Sequence, residues 1–529
     1  MHIRSQILPR LARHKSLPQC QRRHLVIKLD DGQVLQIQHL VRGAAEARNE
    51  KKEFQVNGFV QSIRKQKRVV FVAVKDGSSF ETLQAVLRPE DGKDLSVGQA
   101  VSMKGTLERC REGAQQTHEL HVTEAFPVGD NEAESNPLQN KYQSPQFLRT
   151  IPHLRPRLPS QTVLLNLRSK VIKHVTNYFS QHDWTQTHPP LITSSDCEGA
   201  GEVFTVASNA PSDSKAANRV EHHFRTPKYL TVSAQLHLEA LAQAVDRVWC
   251  LSPTFRAEKS DTARHLSEFY MLEAEMSFVQ NINQLMIVLE QMIKYITQNI
   301  TTDPKLRLDL LARLGSSQPP EGDKTEGPSM DEAALKERWS KMNARKPWTR
   351  VTYDSAFETL VAAAESGEQR FATNPNYRAG FQAEHERFLA EKLGNGAPIF
   401  IYNYPREQKP FYMLPDPASD GKYAACFDLI APDVCELAGG SLREHKLGPL
   451  TQAMRDKGVL SKEEGLSTDA AKAGQEVDTM DWYLDLRRYG SVPHGGFGLG
   501  FDRLLCYLAG VSNVRDVVTF PRYHGRCDA

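Results

Sequence analysis

Charged side chains are dense between Thr254 and Phe269, in the stretch TFRAEKSDTARHLSEF. Apolar and polar residues alternate on both sides of it, which predicts two antiparallel strands joined by a long polar loop. Arginine pairs with phosphate oxygens, an aromatic ring stacks on a base, and carboxylates bind Mg²⁺ or an amine. A solvated loop is the ordinary explanation for such charge, but it does not account for Phe269, Glu273 and Glu275 on one strand face. The stretch therefore indicates a nucleotide-binding site.

A glycine-rich run near the C-terminus, GGFGLGFDRLLCYLAG (495–510), leads into a predicted helix whose first turn carries Asp502 and Arg503. Glycines allow a backbone to approach a ligand closely. The spacing does not match the dinucleotide-binding pattern G-x-G-x-x-G, and the chain has no G-x-x-x-x-G-K-[ST] phosphate loop. Taken alone, this run is weak evidence for a nucleotide site.

A third segment, FDLIAPDVCELAGGSLRE (427–444), carries two carboxylates and an arginine. Asp428 and Glu436 have the chemistry to hold a metal ion that nucleotide phosphates also bind. Arg443 follows a Gly-Gly pair. Each of these charges is equally compatible with an ordinary solvated surface, so the segment gains meaning only beside the other two.

Residues 54–126 contain about five short strand-like segments separated by turn signals. This pattern predicts a small barrel of the OB-fold type, which often binds oligonucleotides, although the periodicity also fits an SH3-like barrel. Basic residues that include Arg64 precede Phe71, a combination that suits a splayed single strand of nucleic acid. The alternative is a Phe71 in the barrel core beside a solvated basic turn.

The remaining chain divides into a connector and a large domain. Residues 128–160 are rich in Pro, Asn, Ser and Gln, and predict a hinge. From 161 to 529, helical patterns alternate with strand-like runs and predict a mixed α/β or α+β domain. Polar, aperiodic stretches near 208–223 and 316–334 predict inserted surface loops.

Composition narrows the class of protein. Hydrophobic residues make up 40% of the chain and charged residues 25%, as in soluble proteins with a sizeable core. No apolar run approaches the roughly 18 residues needed to span a bilayer. The eight cysteines include no C-x-x-C pair, which speaks against a zinc site or a disulfide scaffold and favours free thiols in a reducing compartment.

The first 28 residues contain seven Lys and Arg residues and no acidic residue. This composition predicts a mitochondrial transit peptide, with a disordered basic tail or a start codon placed too early as the alternatives. Without these seven charges the formal net charge falls from +2 to about −5. Contact with nucleic acid must therefore come from a local patch rather than from net charge.

Taken together, these segments resemble motifs 2 and 3 of the class II aminoacyl-tRNA synthetases. The resemblance lies in the F-R-x-E strand, the loop ending in R-H, the following strand that begins with Phe, and the terminal G-F-G-L-G-F-D-R. The helix-then-proline segment 163–190 resembles motif 1, which forms the dimer interface in that family. An N-terminal OB-fold is typical of the subgroup for aspartate, asparagine or lysine. The resemblance covers about residues 54–529 and implies an α+β fold. Its parts would be a catalytic antiparallel sheet flanked by helices and a five-stranded OB-fold barrel at 53–127.

Several segments resemble the asparaginyl enzymes of that subgroup, among them ITSSDCEGAGEVF (192–204) and LTVSAQL (230–236). Aspartyl enzymes carry a Q-S-P-Q-x-x-K element whose lysine pairs with the substrate carboxylate, and Leu238 stands at that position here. They also tend to carry Asp where this chain has Glu273. The longer Glu can accept a hydrogen bond from an amide NH₂ and would repel a carboxylate. Both differences favour asparagine as the substrate.

The resemblance implies roles for individual residues. The α-amino end and side chain of the amino acid would contact Glu198, Ser233, Gln235, Glu273 and Arg443. ATP would contact Arg256, Glu258, His265, Phe269, Glu436, Gly500 and Arg503, with Arg256 as the catalytic residue that stabilises charge at the α-phosphate. Mg²⁺ would be held by Asp428 and Glu436. The anticodon would contact Arg64, Phe71 and Gln84.

The implied reaction is attack of the asparagine carboxylate on the α-phosphorus of ATP, followed by transfer of the acyl group to tRNA-Asn. The resemblance and the leader together imply a homodimer in the mitochondrial matrix, without membrane insertion. One alternative is an aspartyl enzyme, either specific for its own tRNA or one that also charges tRNA-Asn, and Leu238 and Glu273 speak against both forms. Another is a catalytically silent tRNA-binding paralogue, against which the retained Arg256 and Arg503 speak.

Overall fold

The computed structural model describes residues 34–43, 52–111, 116–139, 141–194, 203–207, 223–224, 226–316, 330–460 and 480–528. The chain forms two compact units, Met1–Asn140 and Lys141–Ala529. The predicted transit peptide and nearly all of the predicted loop at 208–223 lie outside the described residues. In the described part, no helix is both long and apolar enough to cross a membrane.

The first unit is a closed five-stranded barrel, which confirms the predicted OB-fold architecture. Its elements are α1 (Ile37–Gly43), β1 (Glu53–Lys65), β2 (Val70–Lys75), β3 (Leu83–Leu87), β4 (Ala100–Arg109) and β5 (His118–Pro127). The strand order is β1-β2-β3-β5-β4. Alternation along β2 buries Val70, Val72 and Val74 in the barrel core. Phe71 lies on the opposite face of the strand and is only half-buried, so it is not a core residue.

The second unit begins earlier in the chain than the predicted boundary at 161. A short helix, α2 (Pro145–Arg149), and a 3₁₀ turn precede α3 (Pro159–Gln181). Arg149 binds Asp516 through two hydrogen bonds of 2.9 and 2.6 Å. Arg155 is fully buried and donates to the carbonyl oxygens of Arg515 and Thr519. These anchors place residues from 141 onward, predicted as the second part of a hinge, in the second unit.

A predominantly antiparallel sheet forms the centre of the second unit, as the resemblance implied. Its strands are β6 (Thr185–Gln186), β10 (Arg247–Phe255), β11 (Glu268–Ser277), β12 (Thr349–Thr352), β13 (Ile399–Tyr402), β14 (Cys426–Ala431), β15 (Cys435–Leu442) and β16 (His494–Gly500). They lie in the order β12-β13-β14-β15-β16-β11-β10-β6, and only the β12–β13 and β10–β6 pairs are parallel. A separate small sheet contains β7 (Ile192–Thr193), β8 (Thr205–Val206) and β9 (Lys228–Leu230).

Helices flank the central sheet. They are α4 (Gln235–Val245), α5 (Ile282–Thr302), α6 (Pro304–Ser316), α7 (Glu332–Met342), α8 (Tyr353–Glu365), α9 (Ala383–Gly394), α10 (Leu447–Asp456), α11 (Asp481–Arg488) and α12 (Phe501–Ala509). Most of the loop predicted at 316–334 lies outside the described residues. The side chain of Asp331 caps α7 by accepting from the amide of Ala334.

Side chains from α6 and α7 hold the C-terminal end of α12. The carbonyl oxygens in the last turn of a helix have no partner within the helix. Here Arg313 donates to the carbonyl of Ala509. Arg338 Nη1 donates to that of Tyr507 (3.0 Å), and Trp339 Nε1 to that of Leu508 (2.8 Å). Three successive carbonyls are thus satisfied, and α12 is fixed at its far end.

Candidate active site

The charged stretch forms the predicted antiparallel hairpin. β10 pairs with β11 so that Thr254 lies opposite Phe269 and Phe255 opposite Glu268. One further backbone hydrogen bond, from Arg256 N to Ser267 O (3.0 Å), extends the pairing into the loop. Arg256 and Phe269 are therefore neighbours at the end of the hairpin, and the Arg256 guanidinium lies 5.8 Å from the centre of the Phe269 ring.

The loop charges contact one another. Glu258 lies 3.7 Å from Arg256 Nη1 through one oxygen and 3.7 Å from His265 Nε2 through the other. His265 Nδ1 lies 2.9 Å from the hydroxyl of Ser260 and 2.6 Å from that of Thr262. Burial lowers the pKa of His265, and this outweighs the opposing effect of Glu258. Three residues predicted to contact ATP are thus brought together, with a neutral imidazole among them at neutral pH.

The start of α12 brings Arg503 to the same region. Gly500 is the residue that precedes the first turn of this helix. Arg503 Nη1 donates to the carbonyl oxygen of Glu436 (2.6 Å), so two further predicted ATP contacts are adjacent. Asp502 has a different task, because it is buried and accepts from the amide of Tyr270 (2.9 Å) and from Arg168 (2.5 Å). It ties α12 to β11 and α3.

Two glycines leave a bare strip across the sheet. Asp428, Gly439, Gly498 and Glu273 lie directly opposite one another on β14, β15, β16 and β11, so they share one face. Since strands are about 4.8 Å apart, the strip between the two carboxylates is roughly 14 Å wide. We call these four residues the glycine floor. Such a surface admits an extended ligand against the backbone.

One end of the glycine floor carries the predicted metal ligands. A Cβ atom on Gly439 would lie 3.1 Å from Asp428 Oδ1 and 3.6 Å from Glu436 Oε1, so both carboxylates face the same glycine. Lys409 Nζ binds the other oxygen of Asp428 at 3.0 Å. Burial lowers the pKa of Lys409, but the groups around it, Asp428 first, together raise it by more. Lys409 is a residue that sequence reasoning missed.

The other end carries the predicted amino-acid contacts. Glu273 is 3% exposed and accepts hydrogen bonds from the Ser233 hydroxyl and from the amide of Ala234 (3.0 Å). Gln235 begins α4 directly after these residues. Leu238, at the position of the aspartyl enzymes' lysine, is buried. Ser233, Gln235 and Glu273 are thus brought together, whereas Glu198 lies outside the described residues.

Arg443 forms a buried ion pair beside Glu273. Its Nε and Nη2 atoms donate to the two oxygens of Glu275 at 3.1 and 2.9 Å, and Nη1 donates to the Ser441 hydroxyl at 2.6 Å. Burial lowers the pKa of Arg443, but the Glu275 carboxylate raises it by more. The fork geometry fixes the plane of the guanidinium group.

The predicted anticodon residues lie on one outer face of the barrel in the first unit. Arg64 lies 4.7 Å from the centre of the Phe71 ring. Gln84 is on the neighbouring strand, and its Nε2 donates to Glu119 at 2.8 Å. His121 Nε2 also lies 3.1 Å from Glu119. Sequence reasoning missed Glu119, although its position at the start of a strand that alternates apolar and polar residues marks it as outward-facing.

The sequence is similar to known protein families over both units. Residues 145–524 match the model of the class II tRNA synthetases (D, K and N), and residues 54–128 match the OB-fold nucleic acid binding domain. The mitochondrial asparagine–tRNA ligase of Schizosaccharomyces pombe is 38% identical, over 89% of this chain and 94% of the relative. That of Saccharomyces cerevisiae is 37% identical, over 88% and 91%.

The fold is also similar to that of solved asparaginyl-tRNA synthetases. Asparaginyl-tRNA synthetase from Pyrococcus horikoshii, complexed with asparaginyl-adenylate, is 26% identical with a TM-score of 0.73. The match covers 94% of this chain and 99% of that one. The fold, the match over residues 145–524 and the curated relatives together establish that the chain belongs to the class II aminoacyl-tRNA synthetases, in their asparaginyl group.

Proposed function

We propose that this protein activates L-asparagine with ATP and transfers it to tRNA-Asn in mitochondria. The observation that carries the proposal is the glycine floor, which joins a carboxylate pair suited to a phosphate-bound metal to a buried pocket that contains Glu273 and Arg443. An extended aminoacyl-adenylate matches both its roughly 14 Å width and its polarity. The names of the relatives support asparagine as the amino acid.

In the first step, the asparagine carboxylate attacks the α-phosphorus in line with the departing pyrophosphate. Arg256 neutralises charge on the carboxylate and the α-phosphate, while Phe269 stacks on adenine. His265 and Arg503 hold the γ-phosphate, and Glu258 lies 3.7 Å from both Arg256 and His265. The chain supplies position and charge rather than a covalent nucleophile.

The carboxylates at the floor suit Mg²⁺. Asp428 and Glu436 converge on Gly439, and Mg²⁺ typically uses one or two carboxylates together with substrate phosphates and water. No group of three or more His, Cys, Asp or Glu side chains in the described ranges is arranged as a metal site, so Mg²⁺ here would depend on these two carboxylates and on the substrate phosphates. A bound Mg²⁺ would offset negative charge on the phosphates.

In the second step, the acyl group passes to the terminal adenosine of tRNA-Asn. The basic and aromatic outer face of the barrel, with Arg64, Phe71 and Gln84, would bind the anticodon. We further propose a homodimer through the segment that resembles motif 1, and a mitochondrial matrix location directed by residues 1–28. The mitochondrial relatives support the organelle.

The test is amino-acid-dependent ATP–pyrophosphate exchange with protein lacking the first 28 residues, followed by aminoacylation of tRNA-Asn. We expect exchange with asparagine and not with aspartate. Exchange with aspartate alone would refute the assignment of the amino acid, and absence of exchange with either would indicate a silent paralogue.

Glu273→Asp tests the pocket itself. Shortening the side chain withdraws the carboxylate from Ser233 and Ala234, and each charged hydrogen bond lost costs about 1.5–3 kcal/mol. We expect a lower asparagine/aspartate ratio of kcat/KM. An unchanged ratio would remove Glu273 from the selection of the amino acid.

A further inference from the structure

A second buried charge cluster lies behind the amino-acid pocket and includes residues that the mechanism does not use. At its centre is Glu239, which is fully buried on α4. Its carboxylate accepts from Gln235 Nε2 (3.0 Å) and from the Tyr483 hydroxyl (2.8 Å). It also accepts from Arg487 Nη2 (2.6 Å) and lies 2.9 Å from His494 Nε2. A buried carboxylate with so many donors is held in its ionised form.

His494 takes part in the cluster through both ring nitrogens. Its Nδ1 atom lies 2.7 Å from the carbonyl oxygen of Val492. Its Nε2 atom faces the carboxylate of Glu239 at 2.9 Å and lies 3.4 Å from Arg487 Nη2. Burial raises the pKa of Glu239, but the groups that bind it, Arg487 first, together lower it by more.

The cluster contacts both sides of Arg443. Arg487 Nε donates to the carbonyl oxygen of Glu444 (3.0 Å), the next residue in the chain. The amide of Arg443 donates to the carbonyl oxygen of His494 (2.9 Å). Gln235, predicted to contact the amino acid, donates to Glu239 itself. The charges of the cluster are thus part of the electrostatic environment of the pocket.

Around the pocket, buried acidic residues are at least as numerous as buried basic ones. Glu239, Glu273, Glu275 and Glu444 are buried there, beside Arg443, Arg487 and His494. Asparagine adds no charge to this set through its side chain, whereas aspartate adds a carboxylate without a partner. An uncompensated buried charge is strongly unfavourable.

We propose that Glu239 is a specificity-determining residue: it neutralises Arg487 and binds His494, so that neither side chain attracts the side-chain carboxylate of aspartate. Arg487 Nη1 is buried and has no hydrogen-bond partner among the residues that the structure describes, so this guanidinium keeps one donor that Glu239 does not engage. The absence of lysine at Leu238 removes one cation from the pocket, and Glu239 masks the charge of Arg487. This inference rests on the proposed function, because it takes asparagine as the substrate.

Two substitutions of opposite sign test the proposal by ATP–pyrophosphate exchange. Glu239→Gln keeps the size and removes the negative charge, and should lower the asparagine/aspartate ratio of kcat/KM roughly 10- to 30-fold, as expected for one unit charge acting across an intervening side chain. Arg487→Gln removes a positive charge and should raise the ratio. A purely structural role predicts no such opposition, since both variants lose the same ion pair.

Matched controls separate charge from fold. Glu239→Asp keeps the charge and should retain selectivity better than Glu239→Gln. Glu290, on α5, is another buried carboxylate, and it binds Lys294, Arg350 and the amide of Trp348. Glu290→Gln should leave the asparagine/aspartate ratio of kcat/KM unchanged.

The outcomes are distinguishable. A ratio within threefold of wild type for Glu239→Gln would overturn the inference, as would a fall of the ratio in Arg487→Gln. If one variant does not fold, the direction of the change in the other decides. Failure of the wild-type protein to activate asparagine would instead refute the proposed function.

Discussion

A single methyl group added to the glycine floor should impair ligand binding without impairing folding. In Gly498→Ala, the new Cβ would meet the Met271 sulfur at 3.2 Å and Glu273 Cγ at 3.8 Å. Methionine is flexible and can give way by a few tenths of an ångström, and the backbone of Gly498 does not have the positive φ that disfavours alanine. We therefore expect a change in the free energy of unfolding below about 1 kcal/mol.

The same methyl group should be far more damaging to catalysis. It rises above the strip where the proposed adenylate lies and displaces it by about the length of one carbon–carbon bond. A misplacement of about 1 Å can cost roughly 100-fold in rate, so ATP–pyrophosphate exchange should fall by at least that factor. Gly448→Ala on α10 is the control, because its new Cβ would have no atom within 4 Å.

The assay is asparagine-dependent exchange at saturating ATP, with thermal unfolding of the same preparations. An exchange rate within threefold of wild type in Gly498→Ala would show that the ligand does not lie on the floor. Loss of both activity and thermal stability would show instead that the glycine is required for the strand.

Three further predictions concern other parts of the molecule. Arg443→Lys keeps the positive charge but loses the two-pronged contact with Glu275, so at least one charged hydrogen bond worth about 1.5–3 kcal/mol is lost. We therefore expect kcat/KM for asparagine to fall by roughly 10- to 150-fold. A fall of less than twofold would show that this contact is not needed for recognition. Phe71→Ala should raise the KM for tRNA, by about 1–3 kcal/mol of stacking energy, and leave pyrophosphate exchange unchanged, whereas an unchanged KM would exclude stacking. Burial lowers the pKa of His237 in the folded protein. On acidification the unfolded chain therefore takes up a proton on this residue first, and the folded state loses stability as the pH falls through about 6.5. His237→Gln should reduce the fall in Tm between pH 7.5 and 5.5, and an unaltered slope would contradict this prediction.

Local patterns in the sequence were sufficient for the hairpin and the barrel. The alternation around Thr254–Phe269 fixes which residues share a face, and the structure pairs them as expected. The same holds for the five short strands of the first unit. In both cases the strands that pair are close in sequence, so periodicity and turn residues specify most of the arrangement.

The floor and the charge cluster could not be read from local patterns. The glycine-rich run forms β16, although glycine disfavours strands, and at some of its positions the fold leaves no room for a side chain. At Gly496 a Cβ atom would overlap the Glu275 carboxylate. Glu239 and His494 are 255 positions apart, and only the folded sheet brings them together. The i, i+4 spacings of Gln235 and Glu239 on α4 and of Tyr483 and Arg487 on α11 were local signals.

The attachment of residues 145–157 to the second unit could not be predicted from local patterns for a related reason. A stretch rich in proline reads as a connector, but Arg149 and Arg155 bind acceptors more than 350 positions away. Buried guanidinium groups of this kind are visible only when their acceptors are known.

The helices α6 and α7 hold α12 through their own side chains, Arg313 from one and Arg338 and Trp339 from the other. Neither attachment depends on the covalent link between the two helices. In addition, β11 precedes that link and β16 follows it, so their shared hydrogen bonds also bridge it. A chain divided between residues 316 and 332 would therefore give two polypeptides that recognise each other, and this is the place to build a two-fragment form of the enzyme whose activity reports their reassembly.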